Sequence, residues 1–319
     1  MTPSETRTIA MLKTALGPAI SAALREPTVT DVLVNPDGQL WVERSTAGLI
    51  DTGVVIAPAD VERIIRVVAG HLRLEANDNH PVVSAELPGS GERFEGLLPP
   101  VVVAPTLAIR KPAGEVFALG DYVTARIMTE RQALLLREAV QRRRNILIVG
   151  GTGSGKTTLA NALLREMADA SDRIVLLEDT RELQCSARNA VALRTKDGVA
   201  TLADLVRSTL RLRPDRIVVG EVRGAEALDM LKAWNTGHPG GIATLHANSA
   251  RAGLYRLEQL IQETVVNVPQ ALIAEAVDLI VFLKGRGEAR RLETLARVTG
   301  LKAGDYRVEE IDPHVPLSL

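Results

Sequence analysis

Nine consecutive residues carry the clearest chemistry in the chain: Gly150, Gly151, Thr152, Gly153, Ser154, Gly155, Lys156, Thr157 and Thr158. They fit G-x-x-x-x-G-K-[ST], and the apolar run Ile146-Leu147-Ile148-Val149 leads straight into them. Glycines let backbone N–H groups wrap a phosphate chain without side chains in the way. The N-terminus of a following helix then adds a dipole that favours negative charge. Leu159, Leu163 and Met167 give that helix a stripe to bury. Lys156 can reach the β- and γ-phosphates of a nucleotide, and the Thr157 hydroxyl can ligate Mg2+. This segment predicts a nucleotide site.

Hydrolysis needs more than a phosphate loop. It needs an acid that supports the metal and a group that orients water. Glu178 and Asp179 follow the apolar run 174–177, Glu221 follows 217–220, and His246 follows 242–245. If these runs are parallel strands, all three ends lie on the sheet edge that carries the phosphate loop, where ligands of open α/β sheets bind. Capping of the next helix is the structural alternative for each acid, and the shared edge argues against it. His238 sits in a glycine-rich stretch that it can simply brace, and His71, His80 and His314 have no chemical context.

These side chains need elements to hold them. From residue 131 onward, apolar runs at 146–149, 174–177, 217–219, 242–245 and 279–283 alternate with amphipathic helical segments, which predicts a largely parallel sheet covered by helices. The first hundred residues have another rhythm. Runs at 29–34 and 39–44 flank Asn35-Pro36-Asp37-Gly38, a hairpin signal. Val61, Ile64, Ile65, Val68 and Leu72 recur at helical spacing, and strands follow at 82–87, 94–98 and 107–110. The N-terminal Ile9, Leu12, Leu16, Ile20 and Leu24 form one stripe of a packing helix. The expected organisation is an α+β domain over 1–112, a linker over 113–130 carrying Gly114 and Gly120, and an α/β domain over 131–319.

Composition narrows the function classes. With 38 Lys and Arg against 39 Asp and Glu, the net charge of −1 gives no general electrostatic pull on nucleic acid. Aromatic residues at 3% are too few for a base-stacking platform. The single Cys185 makes neither an internal disulfide nor a multi-cysteine zinc site. No run approaches the length of a spanning helix. The profile is that of a reduced, cytoplasmic protein.

The ordered segments GGTGSGKTT, IVLLEDTREL, LRLRPDRIVVGEVRGAEALDML and TGHPGGIATLHANS resemble the Walker A, Asp, Walker B and His boxes of the bacterial type II/IV secretion ATPases. VTDVLVNPDGQLWVE, GERFEGLLPPVV and LAIRKP resemble the N-terminal domain of the type IV branch, and in length and detail the chain is most similar to conjugal-transfer ATPases of the TrbB type. The resemblance implies a RecA-like P-loop domain behind a smaller α+β domain, ATP and Mg2+ as ligands, and a homo-hexamer. It implies a peripheral place at the cytoplasmic face of the inner membrane, with inner-membrane components of the apparatus as partners and no sequence-specific nucleic-acid binding.

Residue by residue, the resemblance makes Lys156, Glu178, Glu221 and His246 catalytic. Glu178 supports Mg2+ through water, Glu221 orients the attacking water, and Thr157, Glu178 and Glu221 serve the metal directly or through water. Arg93 and Arg110 resemble N-terminal-domain arginines that reach the phosphates. Arg194, Arg207, Arg213 and Arg223 are candidates to serve neighbouring subunits, with salt bridges as the alternative. Competing functions are a type IV or tight-adherence pilus or type II secretion ATPase, a RecA-like nucleic-acid motor, and a nucleotide-gated scaffold.

Overall fold

The computed structural model describes residues 3–45, 47–112, 116–168, 171–196 and 198–312. Contacts divide the chain into two units, Met1–Gly114 and Glu115–Leu319.

The first unit contains helix α1 (Pro3–Arg25), strands β1 (Val29–Val34), β2 (Gln39–Arg44) and β3 (Gly48–Val55), helix α2 (Pro58–Leu72), and strands β4 (Val82–Glu86), β5 (Arg93–Leu97) and β6 (Thr106–Arg110). The strands form one antiparallel sheet in the order β3-β2-β1-β6-β5-β4. The expected hairpin turn is closed by Gly38 N donating to Asn35 O at 2.9 Å, with Gly38 at φ 82°, where a side chain would be strained. Helix α1 breaks at Gly17, whose φ of 67° leaves the helical region just before Pro18. Leu12, Leu16 and Ile20 are buried with Val61, Ile64, Ile65 and Val68 of α2 against the sheet. The stripes in the sequence are therefore the packing faces.

The second unit contains α3 (Leu119–Thr124), α4 (Glu130–Gln141), β7 (Ile146–Gly150), α5 (Lys156–Arg165), β8 (Ile174–Glu178), β9 (Ala190–Arg194), α6 (Leu202–Thr209), β10 (Arg216–Val219), α7 (Glu226–Asn235), β11 (Ile242–His246), α8 (Ala250–Gln262), α9 (Gln270–Ala276), β12 (Leu279–Lys284), β13 (Arg291–Lys302) and β14 (Asp305–Glu310). The sheet order is β14-β13-β12-β7-β11-β10-β8-β9. Strands β12 through β9 in that order run parallel, and β13 and β14 add an antiparallel hairpin beyond β12. Both faces are covered: Leu147 and Val149 of β7 join one core cluster, Ile146 and Ile148 the other. Burial on both faces is why this strand reads as an unbroken apolar run.

Two expectations change. Within the stretch read as a linker, the described residues 116–130 belong to the second unit, where Leu119, Tyr122 and Met128 are buried in its core. Thr129 and Gln132 form a reciprocal cap at the start of α4, at 3.1 and 2.9 Å. Pro112 and Gly120 had suggested a tether, but Gly120 sits inside a short packed helix. Gly114 and His314 lie outside the described residues. Strands β3, β9, β13 and β14 are additions to the sequence reading. Among the described residues no helix is long and apolar enough to cross a membrane.

Candidate functional site

Register places the functional side chains. β11 pairs with β7 so that His246 stands opposite Gly150, and β12 pairs with β7 so that Leu283 stands opposite the same glycine. The phosphate loop therefore leaves the sheet at its middle, between two strand ends. A Cβ on Gly150 would sit 2.5 Å from Leu283 O, so glycine is required there on space alone. Gly153 at φ 74° and Gly155 at φ 93° hold conformations that a side chain would strain.

Lys156, the first residue of α5, is buried. Its Nζ donates to Gly150 O at 3.2 Å and Gly151 O at 3.1 Å, and lies 3.4 Å from His246 Nδ1. Burial holds the amine below the ordinary lysine range, with Glu221 and Glu182 pulling it back up. His246 Nε2 is 2.6 Å from Glu221 Oε1. Burial, and next the Lys156 charge, push the imidazole down, while Glu221 opposes them. Lys156 Nζ is also 3.5 Å from Nε2, so the ammonium meets both ring nitrogens, and Glu221 Oε1 is near the imidazole in charge contact while its hydrogen-bonding capacity stays open.

Glu221 has a second partner, Arg223, whose guanidinium takes Glu221 Oε2 and lies 3.8 Å from Asp179 Oδ2. Glu178 is more enclosed. Only 3% exposed, it accepts from Glu182 N at 3.0 Å and Leu183 N at 2.8 Å through Oε2, while the buried Oε1 has no partner. Burial raises its pKa, and the two backbone donors lower it. A Cβ on Gly220 would stand 3.2 Å from Glu178 Cβ, so the residue before Glu221 is glycine where this acid passes.

The structure thus brings Lys156, Glu221 and His246 into direct contact, with Glu178 close to the backbone just before Glu221. Arg93 and Arg110 are in the first unit, opposite each other across β5 and β6, and Arg110 Nε is 2.7 Å from Asp31 Oδ1. Arg207 is paired with Asp229 at 2.8 Å. His238 Nδ1 meets Pro214 O at 2.8 Å and so braces its loop.

Sequence reasoning missed Asn161. It is buried on α5 and joins the segment after Glu178, donating to Glu182 O at 2.9 Å and accepting from Gln184 N at 2.8 Å. An amide inside the otherwise apolar stripe of α5 was the available signal. It missed Arg286 and Arg290 as well. A Cβ on Gly153 would be 3.3 Å from Arg286 Nε, and one on Gly155 would be 3.1 Å from Arg290 Cζ. More than 130 residues separate Arg290 from Gly153, and only the β12–β7 pairing joins them.

A nucleotide with Mg2+ fits this donor set. Among the described residues no three of His, Cys, Asp and Glu group as a metal cage. Mg2+ does not need one, because it keeps several waters and binds through one or two protein oxygens plus substrate phosphates. The unpartnered Glu178 Oε1 is an acceptor of that kind.

Residues 17–284 match the family described as type II/IV secretion system protein. The chain is 49% identical to the conjugal transfer protein TrbB of Rhizobium radiobacter over 98% of both chains. It is 29% identical to the type IV secretion system protein VirB11 of Bartonella quintana, over 95% of this chain and 96% of that one. Among solved structures, the Legionella pneumophila ATPase DotB superposes with a TM-score of 0.59 over 89% of this chain and 77% of its own, a likeness of fold at 21% identity.

Proposed function

The chain belongs to the type II/IV secretion system protein family, and from that premise we propose that it hydrolyses ATP to power a type IV secretion or conjugal transfer apparatus, in mating-pilus assembly or substrate transfer. It is an ATPase of a type IV secretion or conjugal transfer system. The observation that carries the catalytic assignment is the contact chain from Lys156 through His246 to Glu221 at the mouth of the phosphate loop.

In this reading the loop N–H groups and Lys156 hold the phosphates. Glu221 orients a water for in-line attack on the γ-phosphorus, yielding ADP and inorganic phosphate. His246 and Arg223 stand against Glu221 and limit the turning of that carboxylate. Glu178 and Thr157 would hold Mg2+. When bound, the metal would neutralise phosphate charge. Arg110 pairs with Asp31 within the first unit, and a part for Arg93 and Arg110 in turnover rests on the family resemblance. We assign the working form as a homo-hexameric ring on the cytoplasmic face of the inner membrane, engaging membrane components of the apparatus.

ATP turnover by the purified protein tests the chemistry, and complementation of a transfer-deficient donor strain tests the system. Turnover lost in Lys156→Ala, together with failure of that variant to restore transfer, is the expected result. Full transfer by Lys156→Ala overturns the motor assignment. A ring in light scattering with an ATP analogue and Mg2+ is expected, and a monomer at tens of micromolar rejects it.

A further inference from the structure

The turn after β12 carries two arginines to the flank of the phosphate loop. It is tightly built: Gly285 holds φ 81°, and a Cβ there would sit 2.1 Å from Ala289 O. Ala289 N donates to Arg286 O at 3.1 Å and Arg290 N to Gly287 O at 3.2 Å, closing one 3-10 turn over Gly287–Ala289. Arg286 and Arg290 therefore leave a rigid turn from its two ends.

Their surroundings differ from those of the neighbouring cations. Lys284 and Arg291 both pair with Glu293 at 2.7 Å. Among the described residues no carboxylate lies within ion-pairing distance of Arg286 or Arg290. Arg290 Nη2 approaches Gly153 O at 3.4 Å, a long contact, and its Nε is buried without an acceptor. A cavity of about 300 Å3 opens beside the loop, lined in part by Thr152, Ser154, Asn248, Phe282 and Arg286. Two fixed charges beside a phosphate loop, one exposed and the other with its Nε buried and unfilled, are an arrangement that an anion completes. The planar fork of a guanidinium matches phosphate oxygens better than it matches a single backbone carbonyl.

We propose that Arg286 and Arg290 are further phosphate-holding residues of this nucleotide site, contributed by the same chain, and that they grip the polyphosphate of ATP or ADP from the side of β12. The proposal rests on the nucleotide reading above. The rival role is a brace, in which Arg290 does no more than hold Gly153 O.

Titration of the full-length protein with fluorescent ADP and ATP analogues separates the two. Arg290→Ala, Arg290→Gln and Arg286→Ala should each weaken ADP and ATP binding about tenfold, and Arg290→Lys by no more than about threefold. Glutamine keeps a donor for Gly153 O but no charge, so wild-type affinity in Arg290→Gln makes the residue a brace and overturns the proposal. Unchanged affinity in every variant overturns it too, while leaving the nucleotide site intact. If the wild-type protein binds neither nucleotide, the functional reading itself fails. Arg286→Ala gives an independent answer should the Arg290 variants not fold, because it leaves the Gly153 contact untouched.

Discussion

The Nε2 atom of His246 stands 2.6 Å from Oε1 of Glu221, and the pair is formed by the ends of two adjacent parallel strands. A neutral imidazole in that contact leaves Glu221 its full charge for orienting water. Protonation would neutralise the pair and set a positive charge beside Lys156.

The imidazole should therefore titrate below its ordinary value of 6.5, because burial and Lys156 outweigh Glu221. In NMR titrations, Glu221→Gln should move the His246 midpoint further down and Lys156→Met should move it up. The linkage has a definite sign. Between the lowered folded-state pKa and 6.5 the unfolded chain binds the extra proton, so this residue's contribution falls as pH drops through that window. His246→Asn should flatten that loss in urea melts compared between pH 7.5 and 5.5. A midpoint above 6.5 would reverse the assignment.

Lys156→Met should abolish turnover, by a hundredfold or more, and leave the melting temperature within a few degrees of wild type. Two effects oppose each other in the fold. The variant loses the donations to Gly150 O and Gly151 O but removes a charge that burial disfavours. Thermal melts alongside a phosphate-release assay check both halves. Near-normal turnover in the folded variant would refute the phosphate role.

Asn145 ties the start of β7 to the glycine-rich stretch before β11. Its Oδ1 accepts from Gly240 N at 2.8 Å and Gly241 N at 2.9 Å, and its Nδ2 donates to Ala276 O at 2.8 Å. Asn145→Ala leaves those buried groups unpaired and should destabilise the protein by about 2–4 kcal/mol. Chemical denaturation measures this, and a loss under about 1 kcal/mol would show that water replaces the amide.

Much of the site was legible because its parts are local. The phosphate loop is one continuous segment, and Glu178, Glu221 and His246 each stand at or just past the end of a run apolar enough to be a buried strand. The missed strands lack that signature. β3 is exposed along nearly its whole length, β9 is an edge strand with no buried residue, and β13 and β14 mix charges with a register shift between Val298 and Gly300. The linker reading rested on Gly120 and Pro112, residue types common in turns, whereas Gly120 lies in a helix and burial of Leu119 and Tyr122 depends on partners distant in sequence. Arg286 and Arg290 reach the loop through β-pairing alone, and no spacing along the chain encodes that.

The division of labour between the two acids is open to a direct test. Glu221 spends Oε2 on Arg223 and stands against His246, whereas Glu178 spends Oε2 on backbone donors, and each acid keeps a buried Oε1 without a hydrogen-bond partner. Glu221→Gln should bind ATP with near-normal affinity yet turn over at least tenfold more slowly, because it keeps the shape but loses the charge that orients water. Glu178→Gln retains an acceptor for Glu182 N and Leu183 N, so its fold should survive. Its defect should instead appear as a higher Mg2+ requirement, with turnover partly restored at raised Mg2+ concentration. Turnover measured across a Mg2+ series, beside equilibrium ATP binding, separates the variants. If Glu178→Gln is slow at every Mg2+ concentration and Glu221→Gln is rescued by the metal, Glu178 orients the water and Glu221 serves the metal.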